Sequence, residues 1–302
     1  VTRTIGVRAE ASGPLAVLRT LCWSYTEARP VVLWVFTLRF LVGGMLAFSG
    51  DFPVVKAAVG GVSWFLAVWV VYLVNGISDI AGDRANGSHR PLASGALTTT
   101  AATSWCVVLA VASLSIAVHV SLVFVLLVVL MLTLGLAYSL GAHAAKKWAV
   151  PALAVAASGG LLTYLAGAEA FHGTIPSAVP VFALVMALWI AVVGHAKDFG
   201  DAVGDRIAGR RTLPIVLGER AARLAVATGS AVIGALGVLA AALNPALLSL
   251  AALGPCAVAV SGFSIAGGGR EQDRRAQRRP YRVFMVSQYT VNLLAVGLAA
   301  TP

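Results

Sequence analysis

Residues 74–95 read VNGISDIAGDRANGSHRPLASG, a polar, glycine-rich stretch set directly behind about 18 apolar residues. Asp79 and Asp83 stand four apart, with Asn75 four before the first. On an α-helix, positions i, i+4 and i+8 share one face, so an amide and two acids line up where an apolar segment ends. Residues 194–214, GHAKDFGDAVGDRIAGRRTLP, repeat the pattern at an offset of 122 positions. Asn75 falls on Lys197, Asp79 on Asp201, Asp83 on Asp205, Arg84 on Arg206 and Gly87 on Gly209, while Gly76 stands where the second copy has Asp198. In α-helical form Asp198, Asp201 and Asp205 would also share a face, at i, i+3 and i+7.

Like charges at that spacing repel, so a helix gains nothing by carrying them unless a cation sits between. Hard carboxylate oxygens, with water and phosphate completing the shell, are what Mg²⁺ takes. Two such clusters facing each other would hold Mg²⁺ across one diphosphate. Arg84, Arg90, Lys197, Arg206, Arg210 and Arg211 surround them and can neutralise phosphate oxygens. A solvated helix cap is the simpler account of one such cluster. Two copies that use five of the chain's 12 acids argue against it.

The rest of the chain sets the medium. Of 302 residues, 59% are hydrophobic and 11% charged, with a mean hydropathy of +0.88; soluble domains carry roughly 25% charged residues. Runs long enough to span a bilayer fall at about 31–50, 57–74, 101–118, 120–140, 149–168, 176–195, 224–243, 246–266 and 283–300. The expected fold is all-α: a multi-span transmembrane bundle of about nine helices in two related halves, forming a single domain over residues 1–302. Residues 1–28 carry Arg3, Arg8, Glu10, Arg19 and Glu27 and no apolar run, so no secretion signal is expected. Cys22, Cys106 and Cys256 lie far apart and suggest neither a disulfide framework nor a metal site.

Twenty of the 22 Lys and Arg fall in the N-terminal tail and in the loops after spans two, four, six and eight. The exceptions are Arg39, inside the first span, and Lys56. These segments share one face, which the positive-inside rule puts in the cytoplasm together with the N-terminus and both acidic stretches. The net charge of +10 thus reflects topology and the lipid bilayer, and no nucleic-acid partner is expected. The basic run at 270–282 reads as a cytoplasmic loop.

At these residues the chain resembles the UbiA superfamily of intramembrane prenyltransferases, whose members carry N-x-x-x-D-x-x-x-D after the second span and D-x-x-D-x-x-x-D after the sixth. HRPLASG at 89–95 and Arg29-Pro30 at the start of the first span also resemble the family. The resemblance implies a central cavity among nine helices, open to the cytoplasmic side and to the bilayer. There a prenyl diphosphate would be held through Mg²⁺ on Asn75, Asp79, Asp83, Asp198, Asp201 and Asp205, with Asp79, Asp83, Asp201 and Asp205 catalytic. Its phosphates would meet Arg84, Arg90, Lys146, Lys197, Arg206, Arg210 and Tyr138, the last paired in the family with a lysine that is Lys146 or Lys147 here. An allylic cation would then alkylate an aromatic or lipophilic acceptor, or close on itself as in a terpene cyclase. A transporter is the remaining alternative, but its acids should sit at mid-membrane. Many members have Asp at position 76. Its loss predicts a weaker first metal site and room for Gly76→Asp, unless Gly76 serves close backbone packing. Arg39, Glu169 and His195 have no partner that the sequence names.

Overall fold

A computed structural model of the chain describes residues 13–48, 52–171, 175–267 and 274–299. Residues 1–12 of the N-terminal tail and 270–273 of the basic run at 270–282 lie outside these residues. The described chain is helical, its only β-type pairing an isolated bridge between Trp148 and Arg211. Among the described residues nine helical segments are long and apolar enough to cross a membrane: Pro30–Ala47, Val54–Ala85, Thr99–Ala117, Leu122–Ser139, Ala149–Ala170, Ala178–Gly200, Glu219–Leu243, Pro245–Ala266 and Arg279–Ala299. The protein is an integral membrane protein.

In chain order the helices are α1 (Pro14–Glu27), α2 (Pro30–Ala47), α3 (Val54–Ala85), α4 (Pro91–Ser94), α5 (Thr99–Ala117), α6 (Leu122–Ser139) and α7 (Ala149–Ala170). There follow α8 (Ala178–Val193), α9 (Ala202–Ile207), α10 (Leu213–Leu217), α11 (Glu219–Leu243), α12 (Leu253–Ala266), α13 (Arg274–Gln277) and α14 (Arg279–Ala299). Two apolar cores divide the bundle. One joins α2, α3, α5 and α6 around Phe40, Trp64, Leu73 and Phe124. The other joins α8, α11, α12 and α14 around Phe182, Trp189, Leu250 and Val291. The helices α2 and α7 contribute to both clusters, Phe40 and Leu162 to the first and Val42 and Tyr164 to the second.

The two acidic stretches differ in backbone. The first lies inside α3, which runs unbroken for 32 residues to Ala85. The second leaves α8 at Val193, tightens into a 3₁₀ turn over Gly194–Gly200 and resumes as the short α9. One continuous α-helical face for Asp198, Asp201 and Asp205 is therefore not formed. A 3₁₀ turn instead eclipses residues three apart, stacking Asp198 on His195.

Both stretches end in the same cap. Gly87 and Gly209 adopt left-handed backbones, φ 64° and 66°. After each, the next N–H reaches back to an acid's carbonyl: Ser88 N to Asp83 O at 2.8 Å, and Arg210 N to Asp205 O at 2.8 Å. This six-residue closure is a Schellman turn, which only glycine enters without strain.

Candidate active site

Across the bundle the capped ends meet about a local two-fold. A Cβ on Gly82 would lie 3.9 Å from the Ala208 methyl, and one on Gly204 would strike the Asn86 side chain. Residues 82 and 204, and likewise 86 and 208, are equivalent in the repeat, so the contact is self-complementary in the manner of a two-fold interface. It turns the acids of both stretches toward one another. The loop after α6 joins them: Arg211 N donates to Lys147 O at 2.6 Å and Ala149 N to Arg211 O at 3.0 Å. That backbone pairing sets Lys146 and Arg210 side by side.

Arg210 carries the central geometry. Its guanidinium donates to Asp79 of the first stretch and, at 3.2 Å, to Asp205 of the second. Lys146 Nζ adds 2.6 Å to Asp79 and 2.5 Å to Ser78. Asp83 holds Arg90 at 2.5 Å, Asp201 holds Arg278 at 2.6 Å, and Asp198 Oδ2 pairs with His195 Nδ1 at 3.0 Å. Every aspartate of both stretches has a basic partner. Among the described residues no three His, Cys, Asp or Glu side chains form a metal-type cluster, because cations of the protein hold the carboxylates.

Burial shapes their charges. It pushes the Asp205 carboxyl up to about 6, Arg210 opposing and Asp198 adding to the rise. It lowers the Lys146 ammonium although Asp79 works the other way, and raises Glu27 against the Leu92 N–H and Arg90.

Beneath this layer lies a cavity of about 210 Å³. Its polar end is lined by Arg29, Asn75, Tyr138, Lys146, Lys197, Asp198 and Arg210, and its walls by apolar groups including Phe36, Met131, Leu134 and Leu153. Lys197 Nζ lies 3.4 Å from the Tyr138 hydroxyl. Asn75 Oδ1 is buried without a partner, a hard oxygen facing the same space as Asp198. With the carboxylates of both stretches this is a donor set suited to Mg²⁺, whose remaining positions water and phosphate usually fill.

Not all expected residues converge here. Arg84 is exposed and donates from Nε to Ala93 O at 3.1 Å, and Arg206 is exposed; neither lines the cavity. Both point off the α3 and α9 ends toward solvent. The expectation of room at position 76 is also corrected. A Cβ there would strike the Glu27 carboxylate and come within 2.9 Å of Arg90 Nη2.

Other residues gain partners that no sequence pattern announced. Arg39, some 15 Å deeper than Arg29 along α2, donates to Gln288 Oε1 at 2.6 Å and lies over Phe36, 4.7 Å from the ring centroid. Glu169 accepts from Ser121 at 2.7 Å, at the opposite end of the bundle. Glu27, Ser78, Arg278, Tyr281 and Gln288 went unnoticed as site residues. Arg278 was visible only as one of several arginines in a basic run, and Glu27 only as one charge in the tail. Arg29, seen only beside Pro30, is the one non-glycine described residue with left-handed backbone, φ 60°, and lines the cavity.

Comparison with known proteins agrees with this architecture. The profile of the UbiA prenyltransferase family matches residues 36–293. The digeranylgeranylglyceryl phosphate synthase of Halobacterium salinarum is 31% identical over 207 residues, covering 65% of this chain and 69% of that protein. A shorter match, 33% over 97 residues and 32% of each chain, is to the fumagillin beta-trans-bergamotene synthase of Aspergillus fumigatus. Among solved structures, a UbiA homolog from Archaeoglobus fulgidus bound to DMAPP and Mg²⁺ superposes with a TM-score of 0.70 at 19% identity, covering 91% of this chain and 97% of that one. The apo UbiA homolog from Aeropyrum pernix K1 gives 0.68 at 20% identity, covering 86% and 96%. This chain is a membrane-embedded member of the UbiA prenyltransferase family.

Proposed function

We propose that the protein transfers an isoprenyl group from a prenyl diphosphate to an aromatic or otherwise lipophilic acceptor, in a Mg²⁺-dependent reaction at the joined ends of α3 and α9. The observation that carries this reading is Arg210 touching Asp79 and Asp205 at once. One guanidinium spans both acidic stretches, so one diphosphate can too.

Asn75, Asp79, Asp83, Asp198, Asp201 and Asp205 are the residues that would hold the metal. Bound Mg²⁺ supplies positive charge to the leaving diphosphate as the C–O bond breaks. Lys146, Lys197 and Arg210, with Tyr138, face the cavity and bind phosphate oxygens, exchanging a carboxylate partner for a phosphate one. Arg90 stands behind them on Asp83. Arg84 and Arg206 drop out of this set. The apolar wall from Phe36 to Leu153 receives the prenyl chain and keeps water from the allylic cation. The site end faces the cytoplasm, on the strength of the basic loops that share it.

The archaeal relative's name specifies a glyceryl phosphate product, which supports a lipid-type acceptor beside an aromatic one. The bergamotene synthase likeness, confined to a third of the chain, favours one second reading, in which the cation closes on its own double bonds. Purified protein incubated with Mg²⁺ and a series of prenyl diphosphates, with and without aromatic and lipid acceptors, separates the two by product mass. A joined product supports transfer. A hydrocarbon formed without acceptor supports cyclisation, and an unchanged diphosphate in every arm overturns both.

A further inference from the structure

Position 76 is where the first acidic stretch lacks an acid that the second carries, and the place left by the missing acid is filled. Glu27, the last residue of α1, is fully buried. Its carboxylate lies against the Gly76 backbone, where a Cβ would collide with Oε1 and stand 3.0 Å from Cγ. Its partners come from the segment that follows the first stretch: Oε2 accepts Leu92 N–H at 2.9 Å, and Oε1 lies 2.6 Å from Arg90 Nη2. The same Nη2 donates to the Glu27 carbonyl at 2.8 Å, while Nη1 grips Asp83 at 2.5 Å. Arg90 Nε is buried and unpartnered.

We propose that Glu27 takes in space the place of the acid that the first stretch lacks at position 76, and is a positioning residue that holds Arg90 against Asp83 for the prenyl diphosphate. The second stretch carries its acid, Asp198, on its own turn and pairs it with His195. The first imports its acid from α1. A buried carboxylate is costly unless paired, so Glu27 and Arg90 fix one another. Arg90 is thereby clamped between two carboxylates, as Arg210 is between Asp79 and Asp205. Without Glu27 the guanidinium keeps only Asp83 and can leave the register in which it serves the site.

The inference rests on the proposed diphosphate chemistry for its functional half and on geometry alone for the rest, so two measurements separate them. The first is thermal unfolding in detergent without ligand, for Glu27→Ala, Gly76→Asp and the double variant. Each single change is expected to lower the midpoint, one by removing the acid and the other by collision with it. The double change is expected to recover most of the loss, because Asp at 76 enters the space that Glu27 vacates. Additive losses overturn the spatial substitution. The second is binding of inorganic pyrophosphate with Mg²⁺ by calorimetry to wild type and Glu27→Gln, which keeps the shape and the Leu92 contact. A loss of about tenfold is expected, the size of one charge-assisted contact, with kcat at saturation changed less than KM. Equal affinity in the two proteins overturns the positioning role. Wild type that binds no pyrophosphate counts against the proposed function and leaves the thermal result standing.

Discussion

The two acidic stretches share a cap and a two-fold contact yet are built on different backbones. In α3 the acids sit on a continuous helix and are reached by cations from elsewhere: Lys146, Arg90 and Arg210. In the second copy the helix tightens at Gly194–Gly200, and Asp205 is met by Arg210 from its own cap. At equivalent cap positions stand Ser88 and Arg210, whose N–H groups make the same 2.8 Å bond. The backbone is duplicated and the side chain is not. That asymmetry lets one guanidinium bridge the copies. Two arginines facing each other there would repel.

The largest effect expected from breaking the comparison comes from its acids. Asp79→Ala and Asp205→Ala should each lower kcat/KM at least ~100-fold, taking lost charge stabilisation at about 3 kcal/mol. Comparable losses in both would show the copies to be equal partners. Unequal losses would assign the chemistry to one.

Next is the cap. Arg210→Ala should cost about 2 kcal/mol in kcat/KM, as removal of a charged hydrogen-bonding group does, while the equivalent Ser88→Ala should stay within about 0.5 kcal/mol. Similar losses at both positions would mean that the turn, rather than the guanidinium, matters.

A smaller effect follows from Asp205. With its carboxyl at about 6, the metal-free protein carries a proton there below that pH, and metal must displace it. The Mg²⁺ concentration for half-maximal rate should therefore rise as pH falls through about 6 and stay level above it, by up to tenfold per unit for one proton. A Mg²⁺ requirement independent of pH across that range would contradict the link.

The smallest expected effects concern packing. Gly204→Ala must displace Asn86, whereas Gly82→Ala meets only an ordinary contact at 3.9 Å. The first should lower stability by about 1–3 kcal/mol as overpacking does, and the second hardly at all, as thermal midpoints in detergent would show.

The membrane bundle was legible because bilayer thickness demands long apolar runs, and nine appear among the described residues near their expected places, the second alone running well past its expected end to Ala85. Asn75, Asp198, Lys146 and Arg210 were legible as candidates because polar groups clustered where apolar segments end stand out in the sequence, and all four line one cavity. The 3₁₀ break was not, since α and 3₁₀ turns differ by one residue of register, which Asp spacing does not reveal. Glu27 was hidden for a different reason. It reaches Gly76 through tertiary packing across 49 positions of chain, and a lone acid beside a lone glycine forms no pattern. Arg84 and Arg206, expected beside the phosphates, stand exposed and away from the cavity because the helix continues past the point where its face turns to solvent.

The central claim is that both copies serve one diphosphate. Calorimetric titration of a non-hydrolysable prenyl thiolodiphosphate with Mg²⁺ into wild type, Asp79→Ala, Asp205→Ala and the double variant tests it most directly. One site is predicted, with binding strongly weakened in either single variant, little further loss in the double, and none of it retained in EDTA. Two binding equivalents, independent and additive losses, or affinity that survives EDTA would contradict it.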